Sequence, residues 1–467
     1  MLKKTIEKFL RNILRIKEAH KSEVYVVGGT LRDLVLDRQC SDFDFATIGA
    51  SILATQYAHN TKSALVQLDT TPGRETFRVV ISKNIFFDFS ELQGKTIESD
   101  LNQRDFSINA LATSLPNFIK GTKKYIDPHN GIEDIKNKTI RVLPGPIFSK
   151  DPLRMLRAFR FMSVLGFQIE SKTLKKVKTL SPKINQIASE RIWTELNLLL
   201  NTEKAGPSIQ AMDNCGLLKN IFPELYKSKN ISSSLRILEH LDKLLLDPKQ
   251  IKAKPLKEIK KSLLEKPQLI RFGSMFYSTT KITSTKKTEN KRKQKRKTKI
   301  GKILSRLRAS NADINFIVDM ISCAHSLTNT NLSFTKNRIQ LYQFVHQNEE
   351  RLIPGLFLYL ANRAKLPTEA AWNIDPYAII VRNISDFYYK TYLPAKLKRP
   401  LLNGSDIKNK FKIRPSPMFT AILDKTKMAQ TLGIIKTKSE AISLAKALID
   451  PKGFQIKLNG GINKERN

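Results

Sequence analysis

Cysteine is scarce in this chain of 467 residues: Cys40, Cys215 and Cys323 are the only three, far apart and in no Cys-x-x-Cys pair. That excludes a disulfide framework and a zinc ribbon, and it fits a reducing, cytoplasmic setting. Acidic residues are short as well, 42 against 81 Lys and Arg, which leaves a formal net charge of +39. Long apolar runs are missing; none approaches the ~18–20 residues of a membrane span, which argues against a membrane protein. No internal repeat is present. What remains is globular, with 41% hydrophobic and 26% charged residues. At roughly 100–200 residues per domain, such a length makes two to four domains. So strong a basic excess calls for a polyanionic partner, nucleic acid first, because phosphates gathered by Lys and Arg release counterions.

At the N-terminus Leu2, Ile6, Phe9, Leu10, Ile13 and Leu14 recur at helical spacing among Lys and Arg, with no small-residue cleavage site. This is no secretory signal. A helix capping the sheet that follows is expected, in preference to one lying on a membrane.

The chemistry-bearing residues come next. Glu23 to Val27 reads as a short buried strand, followed at once by Gly28-Gly29-Thr30 and a helical stretch from Leu31 to Leu36. A strand, a glycine pair and a helix make a phosphate cradle: glycine lets backbone N–H groups approach phosphate oxygens, and the helix N-terminus adds about half a positive charge. Ser41-Asp42-Phe43-Asp44-Phe45 follows. Positions i and i+2 of a strand share a face, so Asp42 and Asp44 point together while Phe43 and Phe45 enter the core. Paired carboxylates beside a triphosphate cradle suit divalent cations that activate a hydroxyl and steady pyrophosphate. A third acid, Asp88, reads as standing alone on its face of the strand Asn84 to Phe89, where an unpaired carboxylate needs a cation or a donor. Arg104, Asp105 and Asn109 are expected within about one helical turn, Arg104 to grip phosphate and the pair Asp105 and Asn109 to hold ribose hydroxyls.

These residues resemble the class II tRNA nucleotidyltransferases and bacterial poly(A) polymerases, members of the polymerase-beta-like superfamily. The matching segments are Gly28 to Asp33 with Asp42 and Asp44, Arg104 to Ala110, Ile126 to Ile135, Asp151 to Phe161 and Ala188 to Leu196. The resemblance implies an α+β chain. A palm sheet with helices would occupy 1–140 and a neck with a base-reading helix 141–200. A helical body would run over 201–385 and a helical tail over 386–467. It implies that Asp42 and Asp44 bind Mg²⁺, with Asp88 as the third catalytic acid, and that Gly28, Gly29, Arg32, Arg104, Asp105 and Asn109 hold triphosphate and ribose. Asp151 and Arg154 are similar to the pair that reads the incoming base: a carboxylate accepts from an exocyclic amino group and a guanidinium donates to ring nitrogen or carbonyl, so protein replaces template. Arg157 and Arg160 continue that face, toward phosphate or toward solvent.

The chain departs from the family at Lys150, where the base-reading motif usually has Glu, and at Gln103, where the ribose motif often has Arg. Only Phe89 to Gln103 separate Asp88 from Arg104, where full CCA-adding members of the family it resembles have a longer flexible loop, and by that resemblance a CC-adding specialist is credible. Gly73 to Val80 loosely resembles a basic strand signature of poly(A) polymerases, or any half-exposed strand. Many relatives carry an HD-type phosphohydrolase next; here Ile270 to Ser278 has no His-Asp pair, and His240, Asp242 and His325 are too few, so a relic without phosphatase activity is expected. Lys286 to Lys302 holds ten Lys or Arg in seventeen residues and reads, over 284–302, as a loop that contacts RNA phosphates. Pro400 to Ile407 and the helices reaching Leu448 resemble the module that grips the tRNA elbow.

The expected function is Mg²⁺-dependent, template-independent addition of C and/or A from CTP and ATP to the 3′ end of tRNA. CC addition alone, poly(A) synthesis and a non-catalytic RNA-binding protein are the competing readings. Residues 1–150 hold 22 Lys and Arg against 17 Asp and Glu, so nearly all the surplus charge lies beyond the palm.

Overall fold

The computed structural model describes residues 4–20, 23–227, 231–246, 256–279, 298–328, 330–366 and 373–449. They fall into two compact units, Met1–Tyr226 and Lys227–Asn467. The sequence-based boundaries were 140, 200 and 385. Compactness places its one division after Tyr226, because the helix Ala205–Asn214 buries Ala205, Ile209 and Met212 and packs back on the neck.

The first unit is α+β, as expected. Helix α1 (Lys4–His20) precedes β1 (Val24–Val27), α2 (Gly29–Val35), β2 (Asp42–Thr47), α3 (Ala50–Thr61), β3 (Ala64–Asp69), β4 (Thr76–Ser82) and β5 (Ile85–Glu91). Then come α4 (Ile97–Leu101), β6 (Ala112–Ser114), α5 (Leu115–Ile119) and α6 (Gly131–Lys136). The six strands form one sheet in the order β3-β4-β5-β2-β1-β6, in which β2 and β5 run parallel and the other pairs antiparallel. Helix α1 buries Leu10, Ile13 and Ile16 and packs on α3 and α5, which is the expected cap on the sheet.

The alternation read from the sequence sets the two faces of the sheet. Phe43 and Phe45 of β2 pair in register with Phe87 and Phe89 of β5. All four rings are buried, with centroids 5.1–5.4 Å apart in the closest pairs. Burying a side chain of this size is worth about 1.5–3 kcal/mol. The opposite face of the same strands carries the acids.

The neck follows: β7 (Thr139–Ile140), α7 (Ile147–Lys150), α8 (Leu153–Leu165), β8 (Gln168–Ile169), α9 (Ser171–Leu180) and α10 (Ser189–Leu200). Strands β7 and β8 make a small parallel pair, and α8 packs on α10.

The described part of the second unit is all helical. Its candidate phosphohydrolase ligands are built into the packing. His240 Nδ1 lies 3.1 Å from the Ala361 carbonyl, Arg271 donates to Asp242 at 2.5 Å, and His325 stacks on Tyr277 with centroids 4.2 Å apart. The basic stretch expected as a loop over 284–302 lies outside the described residues up to Lys297. Beyond it the expectation is corrected: the Thr298 hydroxyl caps a helix, Lys299–Arg306, whose Ile300, Ile303 and Leu304 are buried. The tail has a core of its own, formed by Leu402, Ile407, Ile422, Ala429, Ile435, Ala441 and Ala445. Among the described residues no helix is long and apolar enough to cross a membrane.

Candidate active site

The turn between β1 and α2 has the expected geometry. Gly28 adopts φ 64 and ψ −129, and a Cβ there would stand 2.8 Å from Arg104 Nη1. The positive φ calls for glycine, and a side chain there would also displace the Arg104 guanidinium. Gly29 lies against the Asp44 carboxylate and the Arg32 guanidinium. The next residue, Thr30, was not singled out by sequence, yet it joins the cradle to the acid strand. Its hydroxyl accepts from the Asp44 N–H at 2.8 Å and donates to the Asp42 carbonyl at 3.3 Å.

Asp42 and Asp44 share the face predicted for them. Burial, the Asp88 charge and Asp42 push the Asp44 carboxyl up to about 6 against the pull of Arg104 and Arg32. The Asp42 carboxyl is raised as well, mainly by burial, with Arg78 opposing. Asp88 pairs in register with Asp44, but it is not alone. Arg78 of β4 sits directly across from it and donates to both of its oxygens, Nε at 2.8 Å and Nη2 at 2.7 Å. The sequence reading of an unpaired Asp88 is thereby corrected; the donor comes from a neighbouring strand, which periodicity along one strand does not reveal.

The segment Arg104 to Ala110 is a turn leading into a short 3₁₀ stretch, Ser107–Asn109, rather than an α-helix. The expected grouping survives through side chains: Asn109 Nδ2 donates to Asp105 Oδ1 at 3.0 Å, and Arg32 Nη1 donates to Asn109 Oδ1 at 2.7 Å. Arg104 is aimed at the cradle by Asp100, whose Oδ2 accepts from Nε at 3.0 Å and Nη2 at 2.8 Å. Helix α6 supports this segment from behind. Asp127 caps it by accepting from the Gly131 and Ile132 N–H groups, and Asp134 accepts from Ser107 and from Arg141. A Cβ on Gly131 would meet the Ser107 carbonyl oxygen at 2.1 Å, so only glycine lets α6 approach.

The base-reading candidates open α8. Asp151 accepts from the Leu153 N–H and from Arg191, and Arg154 Nη1 donates to the Arg104 carbonyl at 3.3 Å. Arg154 therefore touches the segment that begins at Arg104 directly. Arg157 and Arg160, expected toward phosphate or toward solvent, are both engaged by carboxylates. Arg157 donates to Asp105 at 2.8 Å, Arg160 donates to Glu195 of α10 at 2.6 Å, and Arg157 also pairs with Glu195. With Arg32 they surround the Phe161 ring, their guanidinium carbons 4.3–5.5 Å from its centroid. Arg157 holds the palm segment to the neck, and Arg160 ties α8 to α10 within the neck. Asp105, in turn, lies below the usual carboxylate range: burial works against ionisation, but Arg157, the Asn109 amide and Arg154 outweigh it.

The donor set at the sheet face is hard oxygen, which suits a divalent metal of the Mg²⁺ or Ca²⁺ kind. The Asp44 and Asp42 carboxyls are raised first by burial, then by neighbouring carboxylates, and a bound cation would offset both effects. Asp42 and Asp44 fit such a cation. Among the described residues no three His, Cys, Asp or Glu side chains converge as a ligand set, and Asp88 is engaged by Arg78.

Known proteins are similar to this chain. Residues 24–141 match the family model described as the poly A polymerase head domain, and residues 166–228 that described as the probable RNA and SrmB-binding site of polymerase A. The chain is 26% identical over 427 residues to the CC-adding tRNA nucleotidyltransferase of Synechocystis, covering 91% of this chain and 93% of that protein. It is 36% identical over 200 residues to the CC-adding tRNA nucleotidyltransferase of Geobacter sulfurreducens, spanning 42% of this chain and 45% of that one. In structure it resembles the Thermotoga maritima CCA-adding enzyme complexed with tRNA, with a TM-score of 0.65 and 22% identity over 96% of this chain and 97% of that chain. That last likeness is one of fold.

Proposed function

We propose that this member of the tRNA nucleotidyltransferase and poly(A) polymerase family is a Mg²⁺-dependent, template-independent nucleotidyltransferase that adds C and/or A to the 3′ end of tRNA. One observation carries the reading: the glycine cradle, Arg32, Arg104, Asn109 and the Asp42 and Asp44 pair converge where β1 ends beside β2. Asp42 and Asp44 would hold the divalent cation, which when bound polarises the attacking hydroxyl and offsets charge on the departing pyrophosphate. The chain supplies the rest. The N-terminus of α2 and Arg104 face the triphosphate; Arg104 enters already oriented by Asp100, so little side-chain entropy is lost on binding. Asp105 and Asn109 receive the ribose, with Asn109 fixed by Arg32. Asp151 and Arg154 read the base edge and exclude G and U by their donor and acceptor pattern. CTP and ATP are the nucleotide substrates, and the free cysteines fit a cytoplasmic setting.

The relatives matched over nearly the whole chain include a CC-adding and an A-adding enzyme, so they do not choose which nucleotides are added. One assay decides. The enzyme is incubated with labelled CTP or ATP and with tRNA ending before CCA, tRNA ending after CC, and an unrelated RNA. Two C residues and then arrest mean CC addition; C, C and A mean the full triplet; long A tails on any RNA would overturn the tRNA reading.

A further inference from the structure

Strand register places the Arg78 guanidinium directly at the acid face of the sheet. In a row across β4, β5 and β2 stand Arg78, Asp88 and Asp44, each paired with the next. The Arg78 guanidinium forks onto both Asp88 oxygens and lies 4.9 Å from the Phe86 ring centroid, which fixes its plane. Asp88 is buried, so its fork partner decides which way its carboxylate faces. Phe86 lies in register with Asp42, which sets the guanidinium beside the second acid of the proposed cation site.

We propose that Arg78 is a positioning residue that sets the cation affinity of the Asp42 and Asp44 site, acting as a built-in competitor which withholds Asp88 from the divalent ion. This rests on the reading that Asp42 and Asp44 hold such an ion. Three carboxylates on one partly buried face repel each other, and a fixed guanidinium relieves that repulsion at all times, whether or not an ion is bound. The same charge opposes an arriving cation. Removing it frees an acid and deletes a repulsion, so cation binding tightens. Removing Asp88 instead leaves the guanidinium free to engage Asp42, so cation binding weakens.

The test is Mn²⁺ binding to the full chain without nucleotide, monitored through the electron paramagnetic resonance of free Mn²⁺. Arg78→Met, which keeps the alkyl stem over Phe86, is expected to bind about tenfold tighter. Asp88→Asn binds more weakly, and the double variant returns to near the parent value. Arg78→Lys keeps the charge without the fork and tightens binding by about twofold; it carries the test should the Met variant not fold. Unchanged or weaker Mn²⁺ binding in the folded Arg78 variants overturns the proposal. Asp42→Asn is the separate control: if it leaves Mn²⁺ binding intact, the cation site itself is misassigned.

Discussion

Within Met1–Tyr226 base and acid nearly balance, 33 Lys and Arg against 24 Asp and Glu, whereas Lys227–Asn467 carries 48 against 18. The pairing differs in kind as well as number. In the first unit Arg78, Arg104, Arg141, Arg157 and Arg160 all meet carboxylates that are largely buried: Asp88, Asp100, Asp134, Asp105 and Glu195. In the second, pairs such as Lys243 with Glu239 and Lys390 with Asp386 are exposed, and Arg271 with Asp242 is a buried exception. Exposed pairs are worth little, at most about 1 kcal/mol, while a buried one is costly to break. The first unit therefore uses its charges to fix directions, as a site that must orient a triphosphate requires. The second keeps a surplus that can answer any phosphate.

Three experiments would break or sharpen that contrast. The largest effect belongs to Asp44→Asn, which should lower nucleotide incorporation by at least about a thousandfold. RNA binding, measured by filter retention, should stay close to that of the parent, since the surplus charge lies elsewhere. Loss of both together would mean that the acid face also carries RNA affinity. Next comes Glu195→Gln, which leaves Arg160 without a counter-charge and Arg157 with only Asp105. It should cost about 3 kcal/mol in denaturant unfolding, and raise the KM for nucleotide because Asp105 and Asn109 lose their backing. A fully stable variant with unchanged KM would reduce the network around Phe161 to surface pairing. The smallest effect is expected from deleting 284–297, which removes eight Lys and Arg and spares the helix that begins at Lys299. The slope of log K against log salt should flatten by roughly 0.7–0.9 for each phosphate that is no longer neutralised, with turnover on saturating tRNA unchanged. An unaltered slope would place the phosphate grip on other parts of the second unit.

Much of the site was legible because its signals are local. Gly28-Gly29 after a strand, and Asp42 with Asp44 two residues apart, follow from backbone freedom and strand periodicity, and both stand where they were expected. Arg104 to Ala110 was misread as helical because its polar spacing of four suits a helix, whereas packing of α6 through Gly131 and the Ser107 bond to Asp134 set a tighter turn. Arg157 and Arg160 look like a basic surface stripe until Glu195, 35 residues beyond Arg160, is placed beside them. No window of sequence contains that pair.

The sequence by itself determined which strand would carry the acids, where a glycine turn would join strand to helix, and that the partner would be a polyanion. These follow from i and i+2 geometry, from the glycine pair and from net charge, each a property of neighbouring residues or of the whole sum. The tertiary structure alone decided which charges are free to act. Register across β4, β5 and β2 gave Asp88 to Arg78, the placing of α8 beside the Arg104 to Ala110 segment gave Arg157 to Asp105, and its packing on α10 gave Arg160 to Glu195. An ion pair depends on distance in space, and distance in space is set by strand order and helix packing rather than by order along the chain.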